Sequence, residues 1–251
     1  MQHGGESLEK ELIPSSEWYI FFARFMLKYH SVLLFFLIPS VLLPCDPFTA
    51  KTLTPIDHSA KDKSFNEFKT KFQKILKSKD RKALEEVIDK EIHFSFGAEA
   101  GKKDFLKSFQ LTEKPSSSNF WELMEETIKL GFRQNKEGQM VAPYFFETFP
   151  GDYDPFTHYL VIGKNVNVRE DASKESKSIT QLSYQIVRAE ADDLDGRRLE
   201  KESNCNWKKI CTPQGKPGYV CDRFLRSPLD YRAFFEKKKN NWYLTIFIVG
   251  D

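Results

Sequence analysis

Near its C-terminus the chain reads YRAFFEKKKNNWYLTIFIV, residues Tyr231–Val249. Two apolar runs flank the polar, basic segment Glu236-Lys237-Lys238-Lys239-Asn240-Asn241, the pattern of a β-hairpin. In the second run Trp242, Leu244, Ile246 and Ile248 alternate with Tyr243, Thr245, Phe247 and Val249. Both faces are largely apolar, and such a strand is normally buried on both sides. Left at a water-exposed edge it would promote aggregation. The hairpin therefore has to dock into a larger sheet.

The upstream sequence offers one. Phe65, Phe68, Phe72, Ile75 and Leu76 recur at helical spacing behind a Ser64/Glu67 capping box. Asp80 can cap a second helix bearing Ala83, Leu84, Val87 and Ile88. Residues 91–96 alternate as a short strand, with Ile92, Phe94 and Phe96 on one face. Phe105, Leu106 and Phe109 suggest a short helix. Asn119 and Glu122 are spaced to cap another, with Phe120, Leu123, Met124 and Ile128 as its stripe and Gly131 as its end. Phe132–Arg133 and Met140–Phe146 flank Asn-Lys-Glu-Gly, a hairpin turn. Residues 64–162 are expected to form an α+β domain, and residues 229–251 to complete it.

Composition restricts the function. The 251 residues carry 38 Lys+Arg against 36 Asp+Glu, so nothing points to nucleic acid as a partner. With 40% hydrophobic residues, neither wholesale disorder nor a polytopic membrane protein fits. The lysines Lys69, Lys71, Lys74, Lys77 and Lys79 read as a solvated helix face. No H-E-x-x-H, G-x-S-x-G, S-x-x-K or phosphate-loop motif occurs. Asp152, Asp154 and His158 read as a polar inter-domain loop, and His93 as a surface or structural histidine. No catalytic residue, cofactor or metal is assigned.

The N-terminal part carries an address. Ser31–Pro44 is an uncharged run of 14 residues, short for a membrane span but suited to a secretory signal. Residues 1–25 contain Glu6, Glu9, Glu11 and Glu17, unlike a signal n-region; Met26 opens a compact signal and is the expected start. Residues 26–45 resemble a bacterial lipoprotein signal, with Leu42 three before Cys45 and Pro44 in place of the usual small residue. That resemblance implies lipidation at Cys45. Residues 46–63, with two prolines and no apolar period, read as a tether.

From Gly163 the texture changes to short strands and turns. Val166-Asn167-Val168-Arg169 is followed by Ala172–Ser176, then Ile179 and Leu182, then Ile186-Val187. Trp207-Lys208-Lys209-Ile210, Gly215, Gly218-Tyr219-Val220 and Phe224-Leu225 complete the order. Residues 163–228 thereby resemble a bacterial SH3 (SH3b) domain, apart from a long charged insertion at Ala189–Ser203. The resemblance implies a small SH3-like β-barrel that binds rather than catalyses; such a barrel is complete at Leu225, so docking of the C-terminal hairpin in the first domain makes it an insertion between that domain's strands. It implies a cell-wall glycan or peptide, or an envelope protein, as partner. Tyr184, Trp207 and Tyr219 are the candidate ligand contacts; Trp207 and Tyr219 serve first as wall residues of the barrel. The tail resembles that of envelope proteins of unknown function carrying an SH3b unit.

With Cys45 set aside for lipid, Cys205, Cys211 and Cys221 remain, which in an exported protein favours one disulfide and one free thiol. Cys205–Cys221 is favoured over Cys211–Cys221, since Cys205 precedes the Trp207 strand and Cys221 ends the strand expected beside it. The expectation is an exported, membrane-tethered, monomeric, non-catalytic binding protein of the bacterial cell envelope. The alternatives are a structural or assembly protein without a ligand, and a hydrolase with a site at the domain junction.

Overall fold

Strand β12 (Asn241–Ile248) lies in the interior of a five-stranded sheet of order β1-β12-β11-β3-β2. It runs parallel to β1 (Ile88–His93) and antiparallel to β11 (Arg232–Lys238). β11 in turn pairs with β3 (Met140–Ala142), and β3 with β2 (Arg133–Gln134). The computed structural model describes residues 45–97, 101–189 and 205–251, and these belong to a single unit. Residues 1–25, the signal-type segment before Cys45 and most of the charged insertion lie outside the described residues. Among the described residues no helix is long and apolar enough to cross a membrane.

The architecture is α+β. Four helices, α1 (Lys63–Ser78), α2 (Arg81–Val87), α3 (Lys102–Ser108) and α4 (Phe120–Lys129), accompany the five-stranded sheet among the described residues. The core joins Phe65, Phe72, Ile75 and Leu76 of α1 to Met124 and Ile128 of α4 and to Trp242, Leu244 and Phe247 of β12. Phe235 sits at its centre, with ring centroids 5.9 Å from Phe65, 5.4 Å from Phe72 and 5.8 Å from Phe132. A register shift between Phe234 and Phe235 accompanies Thr245, whose hydroxyl donates to the Phe234 carbonyl at 3.2 Å. On the face away from the helices Ile248 is buried, while Tyr243 and Ile246 are half-buried. The burial expected on both faces is thus complete only on the helix side.

Local departures from the expected pattern have simple causes. α1 is capped by Asp62, not Ser64: the carboxylate accepts from the Phe65 amide at 3.0 Å and from the Ser64 hydroxyl at 2.6 Å. Ser64 Oγ accepts instead from Trp242 Nε1 and Lys237 Nζ, each at 3.0 Å, and so ties the helix start to the hairpin. At α4 the hydroxyl of Ser118, not the Asn119 side chain, accepts from the Phe120 amide at 3.1 Å. β1 ends at His93, so Phe96 leaves the sheet and is exposed. β3 stops at Ala142 because Pro143 has no amide hydrogen to continue the ladder.

The second sheet has seven strands in the order β10-β4-β7-β8-β9-β5-β6. They are β4 (His158–Val161), β5 (Val166–Arg169), β6 (Ser178–Leu182), β7 (Ile186–Ala189), β8 (Trp207–Cys211), β9 (Pro217–Cys221) and β10 (Leu225–Arg226). The sheet is not closed into a barrel. Its two edge strands nevertheless contribute to one core: Leu182 of β6 and Leu225 of β10 share it with Val161, Val168, Val187, Ile210 and Val220. Gly218 faces this core. A Cβ there would lie 2.6 Å from Val168 Cγ1 and 2.9 Å from Ile179 Cδ1, which is why glycine precedes Tyr219.

The stretch expected to be a tether is a docked strap. The Phe48 amide donates to Pro213 O at 3.0 Å, Leu53 to Tyr184 O at 2.8 Å, and His58 to Phe132 O at 2.7 Å; Ile186 donates back to Lys51 O at 2.9 Å. Buried phenols complete the fastening: Tyr144 donates to Leu53 O and Tyr153 to Thr49 O. Leu53, Tyr144, Phe145, Tyr153, Leu160 and Ile186 form a third core beneath the strap. The strap therefore spans both sheets, from Pro213 beside β8 to Phe132 beside β2.

Candidate ligand-binding face

Alternation along the seven-stranded sheet decides which side chains face outward. Val166 and Val168 of β5 and Val220 of β9 point into the core, so Asn167, Arg169 and Tyr219 point away from it. Cross-strand register places Arg169 opposite Tyr219, Tyr219 opposite Lys209, and Trp207 opposite Cys221. Residues directly opposite share a face. Trp207, Lys209, Tyr219, Arg169 and Asn167 therefore lie on one outward surface of β8-β9-β5, the two aromatic rings half-exposed. Gln181 of β6 extends the row and donates to Asn167 Oδ1 at 2.9 Å. Arg169 is held in place by donation from Nη1 to Ser176 O at 2.5 Å. Two aromatic rings beside a fixed guanidinium and paired amides make a surface for an extended polar ligand with anionic groups.

Of the three aromatic residues proposed from sequence, two come together here and one does not. Tyr184 lies in the turn between β6 and β7, where its amide donates to Gly163 O at 3.2 Å and its carbonyl receives Leu53 of the strap. Gly163 precedes β5, whereas Tyr219 is opposite Arg169 at the far end of that strand. Tyr184 thus belongs with the strap, not with the Trp207–Tyr219 surface. Sequence reasoning did not single out Arg169, Lys209 or Asn167, although the alternation of the Val166–Arg169 strand carried that signal.

The other half of the same outward surface is covered. His158, Leu160, Ile186, Arg188 and Cys211 point to this side of β4, β7 and β8, where the strap lies. Cys45 is bonded to Cys211 and Cys205 to Cys221, with Cα separations of 6.0 and 5.3 Å, inside the ordinary disulfide range. The pairing expected for Cys205 and Cys221 is present. The free thiol expected beside it is not, because Cys211 is the partner of Cys45. Cys45 Sγ, bonded to Cys211, is the end fastening of the strap, and a sulfur in that bridge is not available for a thioether. Gly215 makes room for it: its φ is +73°, and a Cβ there would lie 2.5 Å from Cys45 O.

The Asp152–His158 segment also belongs to this fastening. The His158 ring lies edge-on between Phe48 and Tyr153, with centroids 5.5 and 5.3 Å away. Its Nδ1 is 3.1 Å from Asp154 O and 3.0 Å from Thr157 Oγ1. Asp154 Oδ1 accepts from the Phe156 amide at 2.9 Å. Among the described residues no group of three or more His, Cys, Asp or Glu is placed to hold a metal.

Burial, followed by the charge of the facing Arg188, pushes the His158 imidazole below its ordinary value of 6.5, against the opposing pull of Asp154. The unfolded chain then takes up this proton at higher pH than the folded one, so stability is present above about pH 6.5 and is lost as pH falls. A melting temperature that declines from pH 7 to pH 5 in the native chain, and declines less in His158→Gln, is the expected outcome. Equal slopes for the two proteins would show that His158 does not couple the strap to pH.

No family model, no curated protein and no solved structure matches this chain.

Proposed function

We propose that the protein is an exported, membrane-associated binding protein of the bacterial cell envelope, without catalytic activity of its own, whose SH3b-like unit engages peptidoglycan. The carrying observation is the outward surface of β8-β9-β5, where Trp207 and Tyr219 stand beside Arg169. Aromatic faces pack against the apolar faces of sugars and peptide side chains, and the guanidinium pairs with carboxylates of wall peptides. The order of landmarks from Val166 to Leu225 supports an SH3-like module, and the curled sheet around one core is compatible with an incompletely closed barrel. Two disulfides support an oxidising compartment. The uncharged run of residues 31–44 supports export and membrane association.

Sedimentation of the oxidised protein with purified peptidoglycan tests this. The native chain should pellet with the wall, and Trp207→Ala/Tyr219→Ala should lose at least tenfold in affinity, about 1.4 kcal/mol. Tyr184→Phe should leave binding unchanged. Equal pelleting of the native and double-variant proteins, at matched thermal stability, would remove the proposed surface.

A further inference from the structure

The first half of the molecule carries a groove of about 410 Å³ that the wall-binding surface does not involve. It is formed by the start of α2 (Arg81, Glu85), by α3 (Lys102, Lys103, Leu106, Lys107) and by the turn after it (Thr112, Glu113). Such a volume is in the range of small-molecule sites. Its charges are unevenly used. Arg81 Nη2 donates to Glu85 Oε1 at 2.9 Å, and Lys102 Nζ donates to the Glu85 carbonyl at 2.7 Å. Arg81 Nε is shut off from solvent and has no acceptor among the described residues. Glu85 therefore serves one edge of the guanidinium, while the Nε–H is left without an acceptor among the described residues. Lys103 and Lys107 stand four apart on α3, so they share a helix face. Both are exposed, and their ammonium groups have no hydrogen bond or ion pair among the described residues.

Among the described residues that line the groove, four cations stand with two carboxylates, an excess of two positive charges. A single carboxylate ligand would neutralise only one. A phosphomonoester carries between 1.5 and 2 negative charges near neutral pH, roughly the amount required, with three acceptor oxygens. Leu106, itself buried, lends the groove an apolar element beside the lysine stems. The geometry points to a binding site for a phosphomonoester that carries an apolar or planar group, with Lys103 and Lys107 holding the phosphate and Arg81 supplying the fixed charge behind them. The same chemistry is offered by a soluble phosphorylated metabolite and by a phosphatidic-acid headgroup.

Calorimetric titration of the full, oxidised chain with phenyl phosphate, and with benzoate as a monoanionic control, tests the site. Phenyl phosphate should bind at least tenfold tighter than benzoate. Lys103→Gln/Lys107→Gln, two exposed changes that leave the core untouched, should weaken phenyl phosphate tenfold or more with the melting temperature unchanged. Co-sedimentation with phosphatidylcholine vesicles containing phosphatidic acid separates the two sources. Vesicle binding that the double variant loses assigns the site to the headgroup. Phenyl phosphate binding without vesicle binding assigns it to a soluble phosphomonoester. Equal affinity for phenyl phosphate and benzoate, or binding that survives the double substitution, would overturn the proposal.

Discussion

Deletion of residues 230–251 should abolish the cooperative unfolding of the helix-bearing half of the protein. β11 and β12 occupy the centre of the five-stranded sheet; without them β1 on one side and the β2-β3 hairpin on the other have no partner. The helices would also lose Phe235, Trp242, Leu244 and Phe247 from their core. Helices of 7 to 16 residues are marginal in water without such packing. The single change Phe235→Ala samples the same effect. Its ring contacts Phe65, Phe68, Phe72 and Phe132, and large-to-small changes at such sites cost about 3–5 kcal/mol. Urea unfolding followed by near-ultraviolet circular dichroism measures both. A loss below about 1 kcal/mol for Phe235→Ala, or a retained transition in the truncated chain, would contradict this account of the core.

Loss of the Cys45–Cys211 bridge should have the next largest effect. The two residues are 166 apart in sequence. In the chain-entropy description, closing a loop of that length stabilises the fold by on the order of 5 kcal/mol, compared with about 3 kcal/mol for the separation of 16 between Cys205 and Cys221. The bridge also holds the end of the strap, so its loss should loosen the contacts of Phe48 with Tyr153 and His158. Cys45→Ser should lower the urea midpoint of the oxidised protein markedly, and reduction should then add only the smaller Cys205–Cys221 contribution. Peptide mapping without reductant should recover both bridges. A midpoint unchanged by Cys45→Ser would show that the strap is fastened by its backbone hydrogen bonds and buried phenols alone.

The helix-bearing half of the protein was more legible in the sequence than the strap and the second sheet. The apolar pattern of residues 242–249 encodes a strand of the sheet interior, and β12 lies between β1 and β11, although only its helix-side face is fully buried. Phe65, Phe72, Ile75 and Leu76 are spaced for one helix face, and all four are buried. The strap gave no comparable signal. Phe48, Leu53 and Ile56 follow neither helical nor strand periodicity, and its main fastenings are backbone hydrogen bonds to carbonyls far away in sequence. Side-chain pattern does not encode such bonds. The four cysteines suit two bridges, but the lipoprotein-like context of Cys45 hides the second one. Trp207 and Tyr219, candidates through the SH3b resemblance, lie on one outward surface of β8 and β9. Tyr184 was misplaced because its left-handed backbone, with φ at 56°, puts it in a turn that periodicity does not describe.

Hydroxyl-radical footprinting of the oxidised protein, with and without purified peptidoglycan, would reveal whether the outward surface of β8-β9-β5 contacts the wall. Trp207 and Tyr219 are half-exposed and should be oxidised in the free protein. On the wall, both should lose most of that reactivity while the exposed Phe156 and Phe96 keep theirs. Unchanged oxidation of Trp207 and Tyr219 in wall-bound protein would show that the wall is held elsewhere.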